Sequence, residues 1–461
     1  MRPASSSLTT GSIPRTLFAF ALPILMGNVL QSVNGSVNAV WVGKYLGTAA
    51  LTATNNANIV MFLLLGGVFG ITMASTILIA QSVGARKPEE AKRVVGTSAT
   101  FFMLLAVLFA VVGMVFSSHV LEWMGTPHDA MPFAVAYMRV IFLALPASYG
   151  FFFINAALRG AGDSKTPFYY LVLSVVLDIV LNPVFIFGVG PIPALGIAGS
   201  ATATLVAQVV SLVALVRHVY KRRNPLALHK GEFHLLKIDW SIVRTLVTKG
   251  IPIGLQMIVL SSSMVLFMRV VNRFGSDTAA AFAASMQLWN YVQMPALALG
   301  AAVSSMAAQN IGAGLWDRVG QTARYGVLFN FALTGVPVVL IYLLSQHAIG
   351  VFLPAGSVSV GIAEHINYIV LWSFPLFGIS MVLSGVVRAA GAVIVPLVVL
   401  AIALLGVRAP MAYLTVGRWG ADAVWWSFSI SAIVAAGLTV AYYLFGDWRA
   451  AKMAPAAAPA G

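Results

Sequence analysis

The sequence predicts an all-α integral membrane protein with twelve transmembrane helices in two pseudo-symmetric six-helix bundles. Three observations predict it. The chain has 461 residues, of which 60% are hydrophobic and only 9% charged, whereas soluble domains are about 25% charged. So few charges cannot cover so much apolar surface, and the implied solvent is the bilayer. Twelve apolar stretches follow one another, each near the ~20 residues that cross a bilayer as helix. The two halves also repeat: Pro23 recurs as Pro252, Gly47 as Gly275, Gln81, Gly84 and Ala85 as Gln309, Gly312 and Ala313, and Arg159, Gly162 and Pro167 as Arg388, Gly391 and Pro396, always 228 or 229 residues apart. A shared offset marks a duplicated unit, which is common in secondary transporters.

The stretches lie near 14–42, 52–82, 93–118, 132–158, 166–189, 194–218, 242–272, 280–311, 320–346, 361–388, 393–416 and 422–446. They are long and lack strict alternation, which favours helix over barrel strand. The first is too long for a cleavable signal, and its Pro23 belongs to the repeat. "AQSVGARKPEEAKR" and "AQNIGAGLWDR" close the second and eighth spans, with Gly and Ala permitting a tight exit. "LRGAGDSKTP" and "VRAAGAVIVP" are the other repeated turns. Gly releases one helix, Pro starts the next, and Asp163 is expected to cap the helix opening near Thr166. Gly66 and Gly70, four apart, allow close helix packing. This organisation predicts an N-terminal lobe over 1–218, a cytoplasmic linker over 219–249, a C-terminal lobe over 250–446 and a disordered tail over 447–461. Part of the linker is expected to lie on the headgroups.

Net charge is 27 − 13 = +14. In a soluble protein that would point to nucleic acid. Here the basic residues sit between apolar spans, so anionic lipids are the expected partner and nucleic acid is not. With both termini in the cytoplasm, 21 of the 27 Lys and Arg residues fall on the inward side, Arg2 among them. The six others include Arg139, Arg269 and Arg408, read as lying in outer span regions. A multi-pass membrane protein with both termini cytoplasmic is expected. Six spans per half is an even number, so an axis along the membrane normal is expected to relate the halves. There is no cysteine, no metal spacing among the seven histidines, no phosphate loop and no nucleophile–base motif. No enzyme, catalytic residue, metal or organic cofactor is therefore expected.

Twelve of the thirteen acids fall in loops or at span ends. The exception is Asp178, midway along the fifth span in "VLSVVLDIVLNPVFIFG". A charged Asp at bilayer centre costs about 2.5–3.5 kcal/mol on insertion scales, so such acids are usually functional. Desolvation opposes its charge and a neighbouring cation favours it; such a group can trade a proton for a cation. Asn182 lies one turn later on the same face. Gln31, Asn34 and Asn38 share one face of the first span. Tyr137 and Asn155 lie in the fourth span, and Ser200, Thr202 and Thr204 begin the sixth. A plain interhelical hydrogen bond explains any one of them; their concentration in the first half is the signal.

With "LPILMGNVLQSVNGSVNAVWVGKYLG", "AQSVGARKPEEAKR", "LRGAGDSKTP", "LNPVFIFG", "GIPIGLQM" and "AAQNIGAG" in this order, the chain resembles the multidrug and toxic compound extrusion (MATE) family over about 14–446. It looks closest to the prokaryotic DinF-like branch. The resemblance implies a V-shaped pair of six-helix lobes and export of organic cations or amphipathic drugs by exchange for H⁺ or Na⁺. It also implies cation coupling at Asp178, Asn182 and Asn38. Substrate contacts are implied at Gln31, Asn34, Tyr137, Asn155, Asp178, and Ser200 or Thr202. The chain departs from the family pattern in two ways. Asn38 stands where relatives of this branch carry an Asp, and the fifth span reads Asp178–Asn182–Pro183 where they read Asn, three residues, Asp, Pro. Acids found in the second lobe of the sister branch have no counterpart in "MIVLSSSMVLF" or "VIVPLVVLAIALLGV".

The expected mechanism makes Asp178 the sole intramembrane carboxylate, protonated from outside to release a cationic drug. H⁺ is favoured; Na⁺ at Asp178 is the other candidate ion. The alternatives are a lipid or lipid-linked oligosaccharide flippase of the same superfamily, which would want a basic cavity, and a membrane-embedded transferase, which would want clustered His or acids. The expected partners are small drug-like molecules and lipids, with the chain a monomer.

Overall fold

The computed structural model describes residues 8–453 apart from Ile192, Val351 and Ala355. Arg2 and residues 454–461 of the tail lie outside the described residues. Among the described residues, twelve helices are long and apolar enough to cross a membrane. They are labelled by span: α1 Ile13–Tyr45, α2 Gly47–Gly84, α3 Pro88–Trp123, α4 Met131–Gly160, α5 Lys165–Phe187, α6 Ile197–Lys221 and α7 Trp240–Val271. The remaining five are α8 Ser276–Gly312, α9 Trp316–Leu343, α10 Val358–Ala390, α11 Ile394–Trp419 and α12 Asp422–Phe445. Each coincides with one of the twelve expected stretches.

The punctuating residues act as their chemistry requires. Gly47 and Gly275, the repeated pair after the first span of each half, take φ of +89° and +94°, the left-handed region that a Cβ disfavours. Asp163 Oδ1 accepts from the backbone N–H groups of Lys165 and Thr166 at 3.0 and 2.9 Å, the expected cap. Pro375 and Pro410 open new helical segments inside spans. A 3₁₀ turn, Leu371–Ser373, precedes the first, and a π turn, Ile402–Arg408, precedes the second. Proline cannot donate to the turn before it and crowds the carbonyl four residues back, so the helix tightens or widens there.

The chain forms two compact units. Among the described residues, one contains Met26–Val247, and the other Leu8–Leu25 with those from Thr248 on. This corrects the expected lobe boundaries. The first turns of α1 belong to the second unit: Leu8 N–H donates to Gln309 Oε1 (3.2 Å), Asn310 Nδ2 donates to Leu8 O (3.2 Å), and the Phe18 and Phe329 rings meet at 5.8 Å. The linker belongs to the first unit, packed on α3. Lys92 pairs with Glu232 and Arg93 with Asp239, and Thr100 Oγ1 donates to Leu236 O at 2.8 Å. A Cβ on Gly96 would sit 2.3 Å from Leu235 O, so only glycine admits the linker there. The His229 backbone N–H, then Lys92, hold the Glu232 carboxyl down at about 2, so this contact keeps its charge at any physiological pH.

Within the tail expected to be disordered from 447, Trp448 packs into the second unit. Trp448 is buried, stacks on Tyr443 and donates Nε1–H to Tyr443 O at 2.7 Å. An indole with both an apolar face and a hydrogen-bond partner outweighs the low-complexity composition around it.

Candidate functional site

A cavity of about 300 Å³ lies inside the first unit, walled by α1, α2, α4, α5 and α6. That volume is at the small end of ligand pockets. Helical periodicity aims the side chains. From α1 come Gln31, Asn34 and Asn38, at i, i+3 and i+7; from α4 come Tyr137 and Ser148; from α6 come Ser200, Thr204 and Gln208, each four residues apart. Asp178 of α5 is in the wall and is 3% exposed. It supplies the only formal charge among the lining residues, which include no Lys, Arg or His.

The polar groups converge on that carboxylate. Asn34 Nδ2 donates to one oxygen at 2.9 Å, and Thr204 Oγ1 donates to the other at 2.9 Å. Asn182 Nδ2 approaches the second oxygen at 3.4 Å and holds the Asp178 backbone carbonyl at 3.0 Å. Among the described residues no Lys, Arg or His nitrogen lies within 4.0 Å of it. Three neutral donors orient the carboxylate, and no counter-charge stands beside it among the described residues. Nearby, Ser200 Oγ donates to Asn38 Oδ1 at 3.2 Å, and Ser148 Oγ donates to Gln208 Oε1.

Of the residues singled out from the sequence, Gln31, Asn34, Asn38, Tyr137, Asp178, Ser200 and Thr204 share the cavity. Three stand outside it. Asn182 is 1% exposed behind Asp178 and acts on that side chain. Asn155 turns back on its own helix, donating Nδ2–H to Phe151 O at 2.6 Å. Thr202 does the same to Ala198 O at 2.7 Å. Thr204, named with Ser200 and Thr202 at the start of the sixth span but not among the implied substrate contacts, is the hydroxyl that meets Asp178. The signal was available: Ser200, Thr204 and Gln208 repeat every four residues on one face, and Thr202 falls two off that face. Gln208, Ser148, Thr54 and Asn58 also line the cavity, and Gln208 continues that same repeat.

By the 227-residue offset that relates Pro183 to Pro410, Asp178 falls opposite Leu405 (178 + 227 = 405). Arg408, however, is not near an outer end. It follows Ile394 by 408 − 394 = 14 residues and precedes Trp419 by 419 − 408 = 11, placing it mid-span.

The protein-family model MatE matches residues 23–184 and 252–414; the two matches begin at Pro23 and Pro252, 252 − 23 = 229 residues apart. The chain is 38% identical over 436 residues to the probable multidrug resistance protein YoeA of Bacillus subtilis, covering 94% of each. It is 30% identical over 446 residues to the probable multidrug resistance protein YpnP of the same bacterium, covering 96% of this chain and 98% of that one. A solved MATE structure in the straight conformation shares the fold, with TM-score 0.88 over 97% of this chain and 98% of that one at 22% identity.

Proposed function

This chain belongs to the MatE family, and from that premise we propose that it is a secondary active multidrug efflux antiporter. It exports organic cations or amphipathic drugs in exchange for protons by alternating access. The observation that carries this reading is Asp178, the one buried carboxylate among the described residues, in a cavity of amides, hydroxyls and apolar groups without a basic residue. The multidrug resistance names of the two Bacillus relatives support the substrate class.

In this mechanism the ionised Asp178 holds the cationic group of a drug, with Asn34, Thr204 and Asn182 fixing the carboxylate's orientation. A proton arriving from the outside converts an acceptor-only group into a neutral acid. Thr204 can rotate to accept the new O–H, whereas Asn34 Nδ2 can only donate, so the proton belongs on the oxygen facing Thr204. Neutral Asp178 loses its attraction for the cation, which leaves; release of the proton toward the cytoplasm resets the site. H⁺ is favoured over Na⁺ because Na⁺ wants several oxygen ligands, preferably charged, and the cavity offers one carboxylate. The positive-inside distribution of Lys and Arg supports a bacterial plasma-membrane location with cytoplasmic termini. A flippase for lipid-linked anions is disfavoured because the cavity has no basic group to meet a phosphate.

Proteoliposomes with equal ethidium inside and outside, given either a proton or a sodium gradient, test the reading. Ethidium should move against its gradient when the proton gradient is imposed and not when only sodium is. Transport driven by sodium alone would assign the coupling ion to Na⁺, and no ethidium movement under either gradient would refute cation antiport.

A further inference from the structure

The second unit carries its own mid-membrane charge. Arg408 lies fourteen residues into α11 (408 − 394), and Asp178 thirteen residues into α5 (178 − 165), so the two stand at comparable depth in their spans. An arginine at that depth is costly, and such residues ordinarily face a partner or a pathway. Arg408 closes the π turn Ile402–Arg408, and π turns concentrate at functional sites because the widened turn re-aims a side chain.

The surroundings of Arg408 fix its guanidinium without satisfying it. The group lies over the Phe428 ring at 4.0 Å, so one face is covered by cation–π contact. Its Nε–H donates to Ser431 Oγ at 2.9 Å. Ser431 in turn donates to Phe428 O at 2.8 Å, which leaves its lone pairs toward the arginine. No carboxylate lies within 4.0 Å among the described residues. The Nη1 and Nη2 groups make no hydrogen bond among those residues, and the side chain is only half-buried. A plane held by a ring and a serine, with its forked edge open, is the arrangement that accepts a carboxylate bidentately.

We infer that Arg408, held in plane by Phe428 and Ser431, is an anion-recognition site in the second unit that takes the carboxylate or sulfonate of an aromatic organic ligand. The chain would then accept zwitterionic drugs as well as simple cations. The site needs no property of Asp178, and the inference stands or falls separately from the coupling mechanism.

The test uses rhodamine B and its ethyl ester, which share one cationic xanthene and differ in the carboxylate. Binding to the full protein in phosphatidylcholine nanodiscs is followed by fluorescence anisotropy, with empty nanodiscs subtracted. Any contribution of Asp178 acts on the shared cation and cancels in the acid-to-ester ratio. Wild type should prefer the acid by about tenfold, the order of a charge-assisted bidentate pair. Arg408→Gln should erase that preference, and Arg408→Lys should recover only part of it, because an ammonium lacks the fork. Ser431→Ala, which keeps the charge and frees the plane, should narrow the preference, and it carries the test if Arg408→Gln does not fold. Equal affinity of wild type for acid and ester would overturn the inference. So would an Arg408→Gln or Ser431→Ala variant that keeps the wild-type ratio.

Discussion

Asp178→Asn should abolish proton-driven ethidium export while leaving the protein folded and in the membrane. The substitution keeps the shape of the side chain and removes its charge. Its oxygen can still accept from Asn34 (now 2.9 Å from Asp178 Oδ2), and the new amide can donate to Thr204, whose hydroxyl accepts as readily as it donates. The fold therefore has little to lose. Function loses both the counter-charge for the drug and the group that takes the proton. Hydrogen bonds to charged groups contribute about 1.5–3 kcal/mol, so ethidium affinity should fall by about tenfold or more and gradient-driven efflux should drop to the leak rate. Thr204→Val should weaken transport part-way by removing a donor to the carboxylate, whereas Thr202→Val, facing Ala198 O, should be neutral. An Asp178→Asn transporter that pumps at the wild-type rate against a pH gradient would remove the carboxylate from the mechanism.

Gly385→Ala should strongly destabilise the second unit. Gly385 of α10 faces α8 so closely that a Cβ would lie 2.5 Å from the Gly300 carbonyl oxygen. The obstacle is backbone on a rigid helix, and no side-chain rotation relieves it. The two helices would have to separate, opening contacts around the fully buried Val303, Val382 and Val386. Overpacking of this kind costs about 1–3 kcal/mol, occasionally more. Gly335→Ala, on α9 with nothing within 4 Å of its added Cβ, is the matched control and should be neutral or slightly stabilising through helix propensity. Thermal unfolding in detergent should separate the two variants by several degrees. Identical midpoints would mean that the α8–α10 approach is looser than described.

The spans were legible because hydropathy, Pro and Gly carry local information, and the bilayer forces helices on long apolar runs. Asp178 was legible because an acid in an apolar span has few bland explanations. Gln31, Asn34 and Asn38 were legible through their shared face. Other features depend on what a side chain meets, which spacing alone leaves open. Asn155 and Thr202 satisfy themselves on their own helix carbonyls, as Asn and Thr readily do. Arg408 reads as peripheral until the helix bounds are fixed, because Pro410 and the π turn before it break the periodicity that locates it. The unit boundaries were not legible at all: α1 is continuous through Leu25, and its division follows from contacts distant in sequence, such as Leu8 with Gln309 and Asn310. In the tail, Trp448 finds Tyr443, a contact that composition averages away.

The central claim is that a proton and a cationic drug compete for the same carboxylate. Proton release on ligand binding measures that directly, in weakly buffered detergent solution with a pH-indicating dye. By linkage, a ligand that binds only the ionised form must expel the proton it replaces. Ethidium added to wild-type protein at a pH where Asp178 is protonated should release about one proton per bound ligand, and Asp178→Asn should release none. Ethidium that binds the wild type with no proton released at any pH would contradict the account.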